Sequence, residues 1–270
     1  MLKAQQASSD LQRLEEFIGQ YESAVIAYSG GVDSAVVAMA AARKLGPRAL
    51  ACLGASASLA ERERAAAESL AREMHCALRV VATREQDDPR YAANPTDRCY
   101  YCKSELYERL AQIAEEGRFA VILDGCNATD LTEDRPGLRA RSARGVVSPL
   151  AELGFDKATV RALALEMGLR VWNKPATPCL SSRIPHGTPI VPEFLRQVER
   201  AENVLAELGF GQFRVRHHGN LARVELSAED LARGVELRRQ IVERVRQAGY
   251  TFVTLDLNGF RGDAAVENKL

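Results

Sequence analysis

The sequence predicts an α/β protein, a doubly wound parallel sheet followed by a small C-terminal α+β domain. Three observations predict it. Short apolar runs alternate with segments rich in Ala, Leu, Glu and Arg through the first two thirds of the chain, which is the pattern of βαβ units. The alternation stops at a run of prolines that begins at Pro175. Beyond it the order becomes helix, hairpin, helix, strand. At about 150 residues per domain, the 270 residues divide into a sheet domain, 1–180, and a smaller domain, 181–270.

Each element has its own local reason. Ala24–Tyr28 is an unbroken apolar run, as expected of a strand buried on both faces. Ala35–Lys44 follows as a helix and meets the breaker pair Gly46-Pro47. Ala49–Leu53 is a second strand, Leu59–Met74 a helix of strong helix formers, and Leu78–Val81 a third strand. Arg84–Arg98 is polar and holds Pro89 and Pro95, so it is a loop. Lys103–Glu116 is helical, Ala120–Asp124 is a fourth strand, and Lys157–Met167 is a helix followed by a short strand, Leu169–Trp172. Thr177–Pro192 is an irregular connection. In the second domain Phe194–Leu208 is a helix, and Phe213–Arg216 and Ala222–Leu226 flank HHGN as a hairpin. Leu231–Ala248 is a helix and Phe252–Leu257 the last strand.

Composition narrows the function classes. Lys and Arg number 36, as do Asp and Glu, so the formal net charge is zero, which argues against a large nucleic-acid surface. The apolar fraction of 46% and charged fraction of 27% are those of a globular protein in water. No apolar run reaches the roughly 18 residues of a membrane span, and the N-terminal segment lacks the apolar core of a secretory signal. A cytoplasmic protein is expected. There the six cysteines are thiols, metal ligands or redox groups rather than structural disulfides.

The sharpest motif is Ser29-Gly30-Gly31-Val32-Asp33-Ser34, which follows the first strand and opens a helix. Two glycines permit a tight turn that exposes successive N–H groups. The helix N-terminus adds unpaired donors and the positive end of its dipole, and Ser29 and Ser34 add hydroxyls. Such a loop holds a phosphate or pyrophosphate. It lacks the Gly-Lys-Ser/Thr of a Walker loop and the dinucleotide GxGxxG. It resembles instead the SGGxDS signature of the PP-loop ATP pyrophosphatases, the adenine nucleotide α-hydrolase-like fold, which cleave ATP between the α- and β-phosphates. Asp33 either helps hold Mg²⁺ with the phosphates or caps the helix.

The cysteines divide by context. Cys52 lies within a strand and Cys76 at a strand start, as core residues do. Cys126 follows the fourth strand on the ligand-facing edge. Cys99 and Cys102 form a CxxC ahead of a helix, and Cys179 stands in a proline-bracketed loop. These three admit a redox pair, a zinc site with Cys126 or His186 as fourth ligand, a [4Fe–4S] cluster with one open iron, or unrelated thiols.

Taken together, SGGVDS, NPTDRCYYCK, DGCNATDLTEDRPGL, SPLAELGFDK, KPATPCLSSRIPHG, FRVRHHGNLARVEL and LDLNGFRG resemble the LarE sulfur transferase family from about Ser23 to Gly262. The resemblance implies an enzyme of nickel-pincer nucleotide synthesis, whose product serves lactate racemase-type enzymes. ATP adenylates a carboxylate of pyridinium-3,5-biscarboxylate mononucleotide, and sulfur then displaces AMP to leave a thiocarboxylate. In some members one cysteine, matching Cys179, gives up its sulfur. Others carry a CxxC, matching Cys99 and Cys102, and hold a [4Fe–4S] cluster with the third cysteine; that version is the one expected here, with sulfide from an external donor. Arg214, Arg216 and Arg261 match the family's phosphate-binding arginines. Strand alternation puts Arg214 and Arg216 on one face, which solvent-facing residues also tolerate. Ser181, Ser182 and Arg183 follow Cys179 beside the substrate, with Cys179, Asp33 and Ser182 as candidate catalytic residues. Asp130 and Glu202 are candidate acidic members, although a helical Glu202 is by default a solvated residue. Cys126 departs from the threonine of the family segment. The family implies a homo-oligomer.

Two other enzymes with this loop compete. A tRNA thiolase is disfavoured by the neutral charge, and an amidating enzyme leaves the three cysteines without a role.

Overall fold

The computed structural model describes residues 2–132 and 136–260, and within them two compact units. Unit 1 comprises Met1–Tyr91 and Thr96–Thr177, and unit 2 Ala92–Pro95 and Pro178–Leu270. The first unit thus ends ahead of the expected boundary at 180. The strap Ala92–Pro95 groups with unit 2 because Asn94 Nδ2 donates to the carbonyls of Pro185 (2.8 Å) and Thr188 (2.9 Å).

In chain order unit 1 runs α1 (Leu2–Gly19), β1 (Ala24–Tyr28), α2 (Val32–Leu45), β2 (Ala49–Ala55), α3 (Glu61–Glu73), β3 (Ala77–Ala82), the short α4 (Pro89–Ala92), α5 (Arg98–Gly117), β4 (Val121–Leu123), α6 (Pro136–Ser142), α7 (Pro149–Glu152) and α8 (Lys157–Glu166). The four strands are parallel in the order β3-β2-β1-β4, and a parallel bridge from Leu123 to Val147 extends the sheet. β1 is buried at all five positions, because helices cover both faces. Its alternate residues serve opposite cores. Ala24, Ile26 and Tyr28 join the side packed by α1, α2 and α8, and Val25 and Ala27 join the side packed by Tyr107, Leu110 and Ile113 of α5. Cys52 and Cys76 are buried among apolar side chains, and burial pushes the Cys52 thiol up to about 12.

Unit 1 departs from the sequence expectation in the short helices α4, within the expected loop, and α6 and α7, which the alternation did not announce, and in three larger respects. Residues 2–19, left unassigned, form α1, because Ala7, Leu14 and Ile18 bury one helical face. Leu169–Trp172 is a turn instead of a strand. Gly168 enters the left-handed region (φ 75°), and the Leu169 N–H returns to the Ala164 carbonyl (2.8 Å), closing the helix on a buried leucine. α5 begins at Arg98, five residues before the expected Lys103, so both cysteines of the CxxC lie inside the helix.

Unit 2 contains α9 (Pro192–Glu207), β5 (Phe213–His218), β6 (Leu221–Leu226), α10 (Leu231–Glu236), α11 (Arg238–Gln247) and β7 (Phe252–Leu255). β5 and β6 form the expected antiparallel hairpin, which turns at Gly219 (φ 63°), and β7 adds parallel to β6. Apolar residues of α9 and α11 close its core over the sheet. The single helix expected over Leu231–Ala248 is two, separated at Leu237.

Candidate functional site

In a doubly wound sheet, ligands bind beyond the strand C-termini where the strand order reverses. Here that point lies between β1 and β4. Two loops meet there, Ser29–Ser34 after β1 and Asp124–Asp130 after β4. A methyl group on Gly125 would lie 2.6 Å from the Ser34 nitrogen, so only glycine lets the two backbones approach this closely.

The first loop is braced from within. Gly30 adopts φ 73°, and a Cβ there would meet the Ala67 Cβ at 2.6 Å, so this residue rests directly on α3. The Ser34 hydroxyl donates to the Gly31 carbonyl (3.1 Å) and accepts from the Ser29 N–H (3.1 Å). The Ser29 hydroxyl lies 3.0 Å from that of Ser34 and accepts from the Gly31 N–H (3.3 Å). Both hydroxyls therefore hold the turn in shape. Gly31 is the N-cap of α2 and brings no side-chain cap of its own.

Asp33 does not cap the helix. Its carboxylate accepts from Asn127 Nδ2 (3.0 Å) and from Lys157 Nζ (2.5 Å). Asn127 is buried, and its side-chain carbonyl accepts the N–H groups of Thr129 and Asp130, while the Asp130 carboxylate accepts the Asn127 N–H. Lys157 arrives from the first turn of α8, whose N-cap Asp156 accepts from the Thr159 N–H (2.8 Å). Three separate segments thus converge on one carboxylate. They line a cavity of about 620 Å³ together with Cys99, Lys103 and Cys126. Cys99 and Lys103 sit one helical turn apart on the same flank of α5.

In the wall of this cavity the buried Asp124 gathers a polar network. It accepts from Tyr107 Oη (2.9 Å), Ser148 Oγ (2.5 Å) and the Cys126 N–H (3.1 Å), and Arg141 donates to Ser148 (2.5 Å). Burial, then the Asp124 charge, raises the Tyr107 pKa, so its hydroxyl stays a donor. Lys157, Asn127, Asp124 and Tyr107 were not singled out from sequence. Lys157 and Asn127 do fall inside SPLAELGFDK and DGCNATD, so their position was visible and their role was not.

Unit 2 holds the other candidates. Cys179 is exposed and caps a single 3-10 turn, Leu180–Arg183. Ser181 and Arg183 are buried. Arg183 donates through Nε to Glu202 Oε1 (2.8 Å) and through Nη1 to the carbonyl of Pro178 (2.7 Å) and to Ser182 Oγ (2.9 Å). Glu202 is 1% exposed and also accepts the Val215 N–H (3.1 Å), so it is no solvated helix residue. Arg214 and Arg216 are likewise buried, not solvent-facing. Arg214 stacks on Phe260 (4.6 Å). Arg216 donates to Glu225 (3.0 Å) and to the Ser182 carbonyl (2.8 Å), while its Nη2 is buried with no partner among the described residues. Arg261 lies outside the described residues.

The donor sets can be weighed against the implied cofactors. Cys99 and Cys102 of unit 1 are soft ligands one helical turn apart, with Cys99 exposed and Cys102 half-buried. The chemistry of this thiol pair fits an iron–sulfur cluster, and Cys179, in unit 2, is itself an exposed thiol. Among the described residues, no three His, Cys, Asp or Glu side chains are already gathered as a ligand set. The Asp33 carboxylate, a hard oxygen ligand in the cavity, fits Mg²⁺.

Comparison with known proteins decides the family. A protein of Lactiplantibacillus plantarum, pyridinium-3,5-bisthiocarboxylic acid mononucleotide synthase, is 37% identical over 256 residues, covering 94% of this chain and 89% of that protein. The chain belongs to the LarE family. LarE-type architecture agrees with the four-stranded parallel sheet, its flanking helices and the small second sheet. An uncharacterised protein of Synechocystis sp. is 44% identical over 94% of this chain and 95% of its own length. An uncharacterised protein of Methanocaldococcus jannaschii is 29% identical over 88% of the chain and 90% of its own length. No family model matches the chain. The L. plantarum LarE relative is named as a synthase, so this LarE chain is an enzyme. Among its described residues no helix is long and apolar enough to cross a membrane.

Proposed function

We propose that this LarE chain is an ATP-dependent sulfur transferase that converts a carboxylate of pyridinium-3,5-biscarboxylate mononucleotide into a thiocarboxylate. The observation that carries the proposal is the phosphate loop at the β1/β4 crevice. There Asp33 and Lys157 line the same cavity as Cys99. A phosphate loop alone serves many ATP-cleaving enzymes; thiols beside it point to sulfur as the nucleophile.

A carboxylate is a poor electrophile, so it must first gain a leaving group. Its oxygen attacks the α-phosphorus of ATP, the bond to the β-phosphate bridge oxygen breaks, and pyrophosphate departs. The N–H groups at the start of α2 cradle the departing phosphates. Lys157 sits where it neutralises charge on them, and Asp33 is the group that would hold Mg²⁺. Sulfide then adds to the acyl carbon, and the carbon–oxygen bond to AMP breaks. Cys99, Cys102 and Cys179 are the residues that would hold a [4Fe–4S] cluster, which when bound supplies a soft site for a transferable sulfide. Arg214 and Arg216 would hold the substrate phosphate. The unpartnered, buried Arg216 Nη2 supports this, since an anion would satisfy it. The acting partners are the small nucleotide and a sulfide donor, with no nucleic acid or membrane, in a homo-oligomer of the cytoplasm.

The test is anaerobic purification, with the visible spectrum recorded and iron, sulfide and zinc counted. Incubation with ATP, sulfide and the biscarboxylate nucleotide follows, with mass spectrometry of the nucleotide and of the protein. Oxygen-to-sulfur exchange with release of AMP and pyrophosphate is expected, with the protein mass unchanged. A colourless protein with stoichiometric zinc overturns the cluster assignment. A protein that loses the mass of H₂S at Cys179 instead marks that residue as the sulfur source. No exchange overturns the reaction.

A further inference from the structure

The two carboxylate oxygens of Asp33 have different neighbours. Oδ1 accepts from Asn127 Nδ2 (3.0 Å), and Oδ2 accepts from Lys157 Nζ (2.5 Å). Asp33, Asn127 and Lys157 all line the cavity beside the phosphate loop, and all belong to unit 1. The two donors differ in how firmly they are held.

Asn127 is 2% exposed and locked in place. Its side-chain carbonyl accepts the N–H groups of Thr129 (2.9 Å) and Asp130 (3.2 Å), and its own N–H donates to the Asp130 carboxylate (3.1 Å). The amide cannot turn over without losing those bonds, so Nδ2 stays on Oδ1. Lys157 is fixed only at its backbone, where its N–H donates to Thr129 Oγ1 (3.2 Å) at the start of α8. Its ammonium reaches Asp33 on a flexible four-carbon stem. The pair is 38% and 23% exposed, and a pair this open to water is weak and readily exchanged. Oδ1 is therefore a fixed anchor, and Oδ2 is the oxygen that can change partners.

An ammonium and a divalent cation on one oxygen would set a single and a double positive charge against each other at close range. A phosphate at the start of α2 offers Lys157 a second place for its charge. We infer that Lys157 is a stand-in cation at Asp33: it competes with Mg²⁺ for Oδ2 and yields that oxygen when a nucleotide phosphate draws its ammonium away. Metal and nucleotide then bind together instead of metal first. The coupling is reciprocal, because a metal on Oδ2 also releases Lys157 toward the phosphates. Asn127 is the positioning residue that keeps Asp33 in place while Oδ2 changes partners. This competition presupposes the Mg²⁺ role proposed for Asp33 above and adds an order of binding to it.

The experiment titrates Mn²⁺, a paramagnetic substitute for Mg²⁺, into the full chain without nucleotide, with free Mn²⁺ read by electron paramagnetic resonance. Lys157→Met is expected to bind Mn²⁺ about tenfold more tightly than the parent, the order expected when a unit charge about 5 Å from a divalent ion is removed in a site open to water. Lys157→Arg keeps the charge and is expected to match the parent. Adding Asp33→Asn to Lys157→Met is expected to abolish the gain, which separates this carboxylate from those elsewhere on the surface. Equal affinity in the parent and Lys157→Met, an equal gain in Lys157→Arg, or a gain that survives Asp33→Asn would each overturn the inference. A second titration, with a non-hydrolysable ATP analogue present, compares the parent with Asp33→Asn. Equal Mn²⁺ retention there removes the metal from Asp33 and takes the competition with it. Loss of Mn²⁺ in Asp33→Asn, with no gain in Lys157→Met, sinks the competition alone.

Discussion

A methyl group on Gly125 would lie 2.6 Å from the backbone nitrogen of Ser34 and 2.9 Å from its Cα. The contact is backbone against backbone, so no side chain can rotate out of the way. Gly125→Ala must therefore push the β4 loop away from the phosphate loop. Overpacking of this kind costs about 1–3 kcal/mol. The expected result is a melting temperature lowered by a few degrees, at about 2–4 °C per kcal/mol for a chain of this size, together with a disproportionate loss of ATP affinity. Thermal unfolding and nucleotide titration of the same variant check both. ATP affinity equal to that of the parent would show that the contact does not set the loop.

The Lys157–Asp33 pair gives a different prediction. The side chains are 38% and 23% exposed, and pairs this exposed contribute about 0–1 kcal/mol. Lys157→Met should hardly move the melting temperature. It should slow ATP-dependent pyrophosphate release by about 100-fold, the order expected when a charge aimed at a developing anion is removed. A pyrophosphate assay beside a melting curve separates the two effects. An unchanged rate would return Lys157 to a purely structural role.

Local chemistry explains what could be read in advance. The β1 run, the glycine pair and the helix after it announce strand, turn and phosphate loop within a dozen residues, because each step depends on near neighbours. The start of α5 was misplaced because Pro95 and the polar residues around it resemble a loop, whereas Asp97 and Arg98 already lie at the helix entry. Arg214 and Arg216 show the deeper limit. Alternation fixes that they share a face of β5, but only the placement of β6, where Glu225 stands in register with Arg214 and accepts from Arg216, and the approach of the Ser182 carbonyl give Arg216 its buried partners. The same holds for Glu202, whose helix position looks solvated until Arg183 meets it. Pairings across long sequence separations leave no local pattern to read.

The Arg183–Glu202 pair, 3% and 1% exposed, lends itself to a cycle of variants. Removing one partner strands the other charge in the interior, at a cost of about 3–5 kcal/mol. Glu202→Leu and Arg183→Met should therefore each destabilise unit 2 strongly and loosen the turn that begins at Cys179, since Arg183 also holds the Pro178 carbonyl. The double variant Arg183→Met with Glu202→Leu should recover much of the stability while leaving sulfur transfer impaired. Denaturant melts of the four proteins read the cycle. Equal losses in the single and double variants would show that packing, not the stranded charge, sets the cost.

His217 sets an expected pH dependence for unit 2. Its ring is 1% exposed, lies 4.3 Å from the Phe194 ring of α9, and places Nδ1 3.1 Å from the Tyr250 hydroxyl. Nε2 is buried with no partner among the described residues, so none of them compensates a proton there. Burial, then the neighbouring His218, lowers the His217 pKa, and burial followed by Arg223 and Arg216 does the same at His218. In the unfolded chain a histidine takes up its proton near pH 6.5, at about the free value, while the folded chain still resists. The unfolded state then binds more protons, so stability falls as pH falls. It is full above about pH 6.5 and shrinks below, until the pH passes the lowered folded value. Denaturant melts between about pH 7.5 and pH 5.5, above the titration of ordinary carboxylates, should show this slope in the parent protein. His218→Ala should keep most of the slope, because His217 is the more deeply buried ring. His217→Phe should flatten it, whatever its effect on absolute stability. A slope that survives His217→Phe and disappears in His218→Ala would assign the dependence to the exposed neighbour.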